Sequence, residues 1–489
     1  MKYIIGFFFL FSNFIISAQS LINMPTQRNA EFIAYSDSLA HTNFYPNNYS
    51  FSADSFKKKQ LIISPFINLS QSFDLKTNNF AYDYLLGVEV TMEFFNKLRL
   101  NIIPYYSFFK PESFLSDFVD TLSVIPNIGS TLNNKNAYGG FIGSLIYSPQ
   151  DYIFFELGNG KTFFGDGYRS LLLSDNTSPY PYFKTTVDVG NIKYVYMLAK
   201  QRDFDFRYSD NFTDLYPKYT FTHYLSFNFL KRLNFSMFET VVTSPYDSLG
   251  ARRGIELNYL NPVVFLRSVE MQQGSPDNVL VGFSGHLKIF KSGMLYGQVF
   301  IDEFILSHIK SPVEYWDEKY GLQAGMKFYN TFGIKRFYSQ FEFNAVRPYT
   351  YSHLNPIRAY TNNLQSLAHP MGANFVEGLA VVSYSFSDFY TQLKLVYSHF
   401  GDNDSQNYGK NPILSYETRV AFEGIEWFNG VSSNLKFAQL TFGYQKWSLL
   451  LKFDIIYRHL QTQSNISENF LFQLSVGKPL FNRYFGAKN

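Results

Sequence analysis

The residue types able to hold a ligand concentrate in one stretch, Phe155–Lys184 (FELGNGKTFFGDGYRSLLLSDNTSPYPYFK). Glu156, Lys161, Asp166, Arg169 and Asp175 bring charges of both signs, and Asp188 follows shortly after. Phe163, Phe164, Tyr168, Tyr180 and Tyr182 bring aromatic faces. Carboxylates and guanidinium groups hydrogen-bond hydroxyls, and aromatic rings stack on pyranose faces, so the combination suits a sugar-binding surface. The candidate ligand-binding residues are Lys161, Asp166, Tyr168, Arg169, Asp175 and Asn176. Arg267 and Glu270 join them from a second irregular region, Arg253–Gly274. A structural role fits the same residues. Inside a lumen or at its constricted mouth, opposite charges would pair and brace an inserted segment.

Bond-breaking chemistry has weaker support. The chain has no GxSxG, HExxH or P-loop pattern. Its eight histidines are scattered. His353 and His369 share a loop without an acidic cluster, so no metal site is expected. His399 with Asp402 and Asp404 is the combination to examine for hydrolysis, although a Gly-Asp-Asn-Asp run reads first as a solvated turn. Cysteine is absent, which excludes thiol nucleophiles, disulfides, cysteine-ligated metals and an N-terminal lipid anchor. No cofactor and no enzymatic activity are expected. The net charge of +3 and the isolated triplet Lys57–Lys59 give no footprint for nucleic acid.

Composition indicates what positions these residues. Among 489 residues, 20% are aromatic, with 55 Phe and 38 Tyr, and 17% are charged. Yet mean hydropathy is −0.14. A wall that is apolar outside and polar inside averages to such a value, as in outer-membrane β-barrels. The N-terminus reads as a secretory signal: Lys2, an apolar run from Ile4 to Ile16, and small residues Ser17-Ala18, with the mature chain starting at Gln19. Beyond it no apolar run reaches the length of a membrane helix. Closing a sheet into a barrel then satisfies the backbone within lipid.

The expected fold is all-β: a transmembrane antiparallel barrel of about 18 strands with a short N-terminal periplasmic helical segment. Residues 1–18 form the signal, 19–60 the periplasmic segment with a helix in Gln27–Ala40, and 61–489 the barrel. Tyr219–Phe229 alternates most clearly, with Tyr219, Phe221, His223, Leu225, Phe227 and Phe229 on one face. His223 is expected near the lipid headgroups. Thr418–Phe428 is also read as a strand, and residues 110–137 and 347–376 as long loops. Short turns such as Lys231-Arg232 alternate with these loops, which is the periplasmic–extracellular asymmetry of such barrels. A soluble β-sandwich is the structural competitor.

Gly160–Lys184 (GKTFFGDGYRSLLLSDNTSPYPYFK) resembles the characteristic segment of the Wzi-type capsule assembly outer-membrane proteins. Glu256–Asn278 and Ala368–Gly378 are similar to further segments of that family's flavobacterial branch, which includes a protein associated with gliding motility. The resemblance implies an 18-stranded barrel with a helical periplasmic plug, and lectin-like, non-catalytic binding of exported polysaccharide. The Ala30–Ala40 helix is shorter than the family's plug. Implied partners are surface polysaccharide, outer-membrane lipid, and polysaccharide export or motility proteins. The alternatives are a component of gliding or adhesion machinery, and a diffusion porin.

Overall fold

The computed structural model describes residues 60–484 except 95–96, 133–134, 206–213, 247–253, 255–256, 262–276, 304–307, 309–312, 447–448, 478 and 482. The expected signal, the Gln27–Ala40 helix, Arg267 and Glu270 lie outside the described residues.

Eighteen strands form one antiparallel sheet. They are β1 Gln60–Asp74, β2 Asn79–Phe94, β3 Leu98–Lys110, β4 Ala137–Gln150, β5 Ile153–Gly160 and β6 Tyr180–Val189. The chain continues through β7 Ile192–Phe204, β8 Leu215–Leu230, β9 Leu233–Thr243, β10 Asn278–Ile289, β11 Gly293–Glu303 and β12 Lys319–Phe328. It ends with β13 Phe337–Val346, β14 Phe375–Phe386, β15 Phe389–Asp402, β16 Val431–Lys446, β17 Leu449–Gln461 and β18 Ile466–Gly477. Each strand pairs with its neighbour in sequence. The sheet closes where β1 meets β18, from Asp74 opposite Leu471 to Asn68 opposite Gly477. Closure leaves no strand edge unpaired in lipid.

The polarity of the wall is that of a membrane barrel. Along β1, Leu61 (57% exposed), Ile63, Ile67, Leu69 and Phe73 face out, while Ser64, Ser70, Ser72 (4% exposed) and Asp74 are buried. The same inversion holds on β8, where Thr220, Thr222, Tyr224, Ser226 and Asn228 are buried on the inner face. A soluble protein would place these residues the other way round. No helix among the described residues is long and apolar enough to cross a membrane.

Turns differ between the two ends. At one end the chain reverses tightly, as at 151–152, 190–191 and 387–388. The Gly190 turn has φ +59, a conformation glycine adopts without steric cost. At the other end lie the long connections 111–136, 161–179, 347–374 and 403–430. The long end is extracellular, so β1 starts and β18 finishes on the periplasmic side.

Three local expectations are corrected. Tyr180–Val189, which begins inside the stretch Phe155–Lys184, is barrel strand β6. Thr418–Phe428 is loop, following a 3-10 turn at Tyr416–Thr418 that Ser415 caps by accepting from the Glu417 amide. Gly424 (φ +72) and Phe428 (φ +66) break the extended backbone there. Residues 111–136 contain helix α1, Ser113–Leu122, which buries Leu115 and Val119 and stops at Ser123 in the left-handed conformation. The expected and observed strand numbers agree because one strand is gained and one is lost. His223 also differs: it is fully buried mid-strand on the outer face, with the Tyr194 hydroxyl 2.6 Å from its Nδ1.

Leu393 lies on the lipid-facing side of β15, midway between the outward rings of Phe389 and Tyr397. Leu393→Arg is expected to destabilise the barrel by about 2–4 kcal/mol, as a charge at the bilayer midplane does. Equilibrium urea unfolding in lipid vesicles measures this, and an unchanged midpoint would contradict the assigned outer face.

Candidate functional site

The segment 161–179 between β5 and β6 folds into the lumen. Leu171, Leu172 and Leu173 are buried against Tyr224, Phe238, Phe300 and Tyr351. Phe164 stacks on Tyr224 with ring centroids 4.6 Å apart. Gly165, at φ +133, has no room for a side chain, because a Cβ would collide with the Gln298 amide. That amide instead binds the insert: Gln298 Nε2 donates to the Phe164 carbonyl at 3.0 Å, and Gln298 Oε1 accepts from the Leu171 amide at 2.8 Å. A burial of three leucines inside a polar lumen thus needs wall groups that satisfy the accompanying backbone.

Arg169 is the centre of this region. Its Nε and Nη2 donate to Glu377 of β14 at 3.2 and 3.3 Å. The two side chains are 2% and 0% exposed. The amides of Tyr168 and Arg169 donate to Glu342 of β13 at 2.6 and 3.0 Å. Burial works against the guanidinium charge, but Glu377 beside it holds the Arg169 pKa above its ordinary value. Glu377 also pairs at 3.0 Å with Nε2 of His369, from the second insert, 347–374. Nδ1 of His369 accepts from the Met371 amide at 3.1 Å, so Nε2 carries the proton and donates to Glu377. Burial pushes the His369 pKa down to about 4, with Glu377 opposing, and the imidazole is neutral at pH 7. One carboxylate therefore joins both inserts to the wall.

The other sequence candidates have partners of the same kind. Asp166 meets His286 Nδ1 at 3.1 Å. The Tyr168 hydroxyl accepts from Lys394 at 3.2 Å. Lys161 donates to the carbonyls of Asn127 and Asp175, and burial pushes its pKa down to about 8 against the pull of Asp175. The Asp175 carboxylate accepts from the Tyr484 hydroxyl. Asn176 accepts from Asn127 and donates to the Ser366 carbonyl at 2.9 Å. Tyr182 donates to Glu156 at 2.6 Å, and Lys184 pairs with Glu156 at 2.7 Å. Six of the eight candidates are thus brought together, facing protein. The segment Pro479–Tyr484 after β18 completes the filling. Leu480 and Phe481 are buried against Leu85, Ile103 and Tyr138, and the Tyr484 ring lies 4.7 Å from the Arg169 guanidinium. A polar cavity of about 160 Å³ remains below, beside Tyr168, Lys394 and Asp454.

A second aromatic cluster, half-buried apart from Phe422, occurs on loops 313–318 and 403–430. Trp316 and Tyr416 lie 4.6 Å apart. The Arg419 guanidinium sits 4.4 Å from Trp316 and 3.8 Å from Phe422, and Phe422 is 65% exposed. Glu417, Glu423 and Glu426 are exposed around them. Arg347, at the root of the second insert, clamps the two loops by donating to Glu318 at 3.3 Å and to the Ile425 carbonyl at 3.0 Å. Residues 418–428 were hidden by their strand-like apolar spacing. The signal that marks them is Trp427, one of the chain's three tryptophans, beside a density of charges that breaks alternation.

Among the described residues no group of three or more His, Cys, Asp or Glu could hold a metal ion. His399 meets Asn434 at 3.0 Å, while Asp402 and Asp404 accept from the amides of Asn403 and Gln406, as turn carboxylates do. His353 Nδ1 accepts from the Asn355 amide at 3.1 Å.

The fold is similar to that of Wzi, an outer-membrane protein involved in group 1 capsule assembly in Escherichia coli and described as a carbohydrate-binding β-barrel. The TM-score is 0.60 at 14% identity, covering 95% of this chain and 100% of that one. Pseudomonas aeruginosa OccK2 (OpdF), solved with glucuronate, aligns at TM-score 0.48 and 7% identity over 87% of this chain and 99% of its own. Acinetobacter baumannii OccAB4 aligns at 0.46 and 8% over 85% and 97%. No family model and no curated protein matches the chain in sequence. The closed 18-strand barrel, its apolar exterior and the likeness in fold to Wzi make this a protein of the Gram-negative outer membrane.

Proposed function

We propose that the protein binds or anchors exported surface polysaccharide at the outer membrane during capsule or exopolysaccharide assembly, and breaks no bond. The observation that carries this reading is the division of labour between lumen and rim. The charged and aromatic residues of the 161–179 insert are engaged with the wall, while the loops above it carry a half-buried cluster of Trp316, Tyr416 and Arg419 with Phe422 and Glu417 exposed on it. Flat apolar faces beside carboxylates and a guanidinium match the alternating apolar faces and hydroxyl edges of a sugar chain. The carbohydrate binding attributed to Wzi supports the same ligand class here. Arg347 and the Arg169–Glu377–His369 contacts hold the loops from beneath, so the ring faces are ordered before a ligand arrives.

Deleting the gene is expected to move polysaccharide from the cell surface into the medium, and the wild-type gene restores it. A Trp316→Ala, Tyr416→Ala double variant that inserts normally is expected to bind the cell's purified polysaccharide roughly thirtyfold more weakly, from about 2 kcal/mol at an aromatic anchor. Isothermal titration or retention on immobilised glycan reads this. Unchanged retention in the deletion strain with lost spreading or adhesion would replace this reading by one in surface motility.

The purified protein is expected to show no large steady conductance in a planar bilayer. Glu377→Ala strands Arg169 in the lumen, a change that costs about 3–5 kcal/mol for a buried pair, and is expected to produce opening events. A steady porin-like current in the wild type would favour a diffusion channel instead.

A further inference from the structure

The lipid-facing wall between β11 and β17 carries a recess of about 930 Å³. Small outward residues form its floor: Ala324, Gly378, Ala380 and Ala438. Larger ones stand on either side in register. Gly378 lies between Phe343 and Tyr397, and Ala380 between Phe341 and Leu395. A Cβ at Gly378 would meet nothing within 4 Å, so the recess is open to the membrane there. Bulky side chains such as Leu322 and Phe442 stand on the outer face of the flanking strands.

Lys436 lines the extracellular end of this recess. It points outward from β16, between Tyr397 and His459 on the neighbouring strands. No hydrogen bond or ion pair engages its ammonium among the described residues. Its neighbours along the rim are paired: His399 with Asn434, and His459 and Lys76 with Glu468. Below Lys436 on the same face come Ala438, Leu440 and Phe442, and above it Asn434 and Ser432. Lys436 therefore marks the upper boundary of the apolar band, at headgroup level of the outer leaflet. A lysine left unpaired on a lipid-facing wall, over a recess of acyl-chain character, calls for an anion attached to hydrocarbon.

The geometry points to a binding site for a phosphorylated, multiply acylated glycolipid of the outer leaflet, with acyl chains in the recess over Gly378 and Ala380 and a phosphate on Lys436. This inference rests on the outer-membrane location and is independent of polysaccharide binding at the loops.

Delipidated full-length protein in mild detergent, titrated with bis-phosphorylated lipid A and separately with phosphatidylethanolamine, tests it by native mass spectrometry. Wild type is expected to retain lipid A in preference to phosphatidylethanolamine. Lys436→Gln is expected to weaken lipid A retention about fivefold, the share of one basic side chain at a membrane surface. Gly378→Leu, whose Cβ meets nothing within 4 Å and whose side chain projects into the recess, is expected to weaken it at least as much. Heat-modified gel mobility confirms that both variants are folded. Equal retention of the two lipids, or lipid A retention unchanged in both variants, overturns the proposal. So does a second copy of the chain occupying the site, seen as a wild-type dimer that Gly378→Leu dissolves.

Discussion

The carboxylate of Glu377 is the constraint on which the interior depends. It is fully buried, and it accepts from Arg169 of one insert and from His369 of the other. A buried carboxylate without partners would be costly to ionise, and so would a buried guanidinium. Each therefore requires the other, and His369 brings the second insert to the same carboxylate. The leucines of the first insert gain their apolar surroundings from the same event, since Tyr351 of the second insert covers them and donates to the Leu171 carbonyl at 3.1 Å. Charge pairing selects the arrangement, and burial of the leucines and tyrosines supplies its stability.

This dependence explains why a sequence so monotonous in its strands is so irregular between them. The wall is a periodic object, and its rules are local: one face to lipid, one to the interior. The inserts obey no period because each residue answers to a different strand. Asp166 answers to β10, the amides of Tyr168 and Arg169 to β13, and the Arg169 side chain to β14. The loops above inherit their positions from these roots through Arg347, which spans from the barrel rim to the Ile425 carbonyl. The placement of the surface loops thus rests on electrostatics in the interior.

The barrel could be read from sequence wherever alternation was uninterrupted, as along Tyr219–Phe229. It could not be read at Tyr180–Val189, where Pro179 and Pro181 mimic a turn although the strand begins among them. Nor could residues 418–428 be recognised as loop, because Val420 and Phe422 imitate the alternation of a lipid-facing strand while exposed on a loop. The charged insert was legible as special, but its partners were not. Arg169 and Glu377 are 208 residues apart, and only the register of the closed sheet brings them together. Arg267 and Glu270 lie outside the described residues. Lys436 gave no signal, since a lone lysine in a strand acquires meaning only from what surrounds its outer face.

The residues after β18 give the interior an order in time. Tyr484 lies over Arg169 and donates to Asp175, and Phe481 packs under Lys161. These contacts join positions more than 300 residues apart, and they form only once β18 has been laid beside β1. Long loops of chain must be closed before such contacts are gained, which places them late in folding. Until the seam shuts, Arg169 lacks the Tyr484 ring and the first insert lacks its floor. The segment after β18 therefore takes its place in the lumen last, and a barrel caught before its final strand is in place lacks that filling.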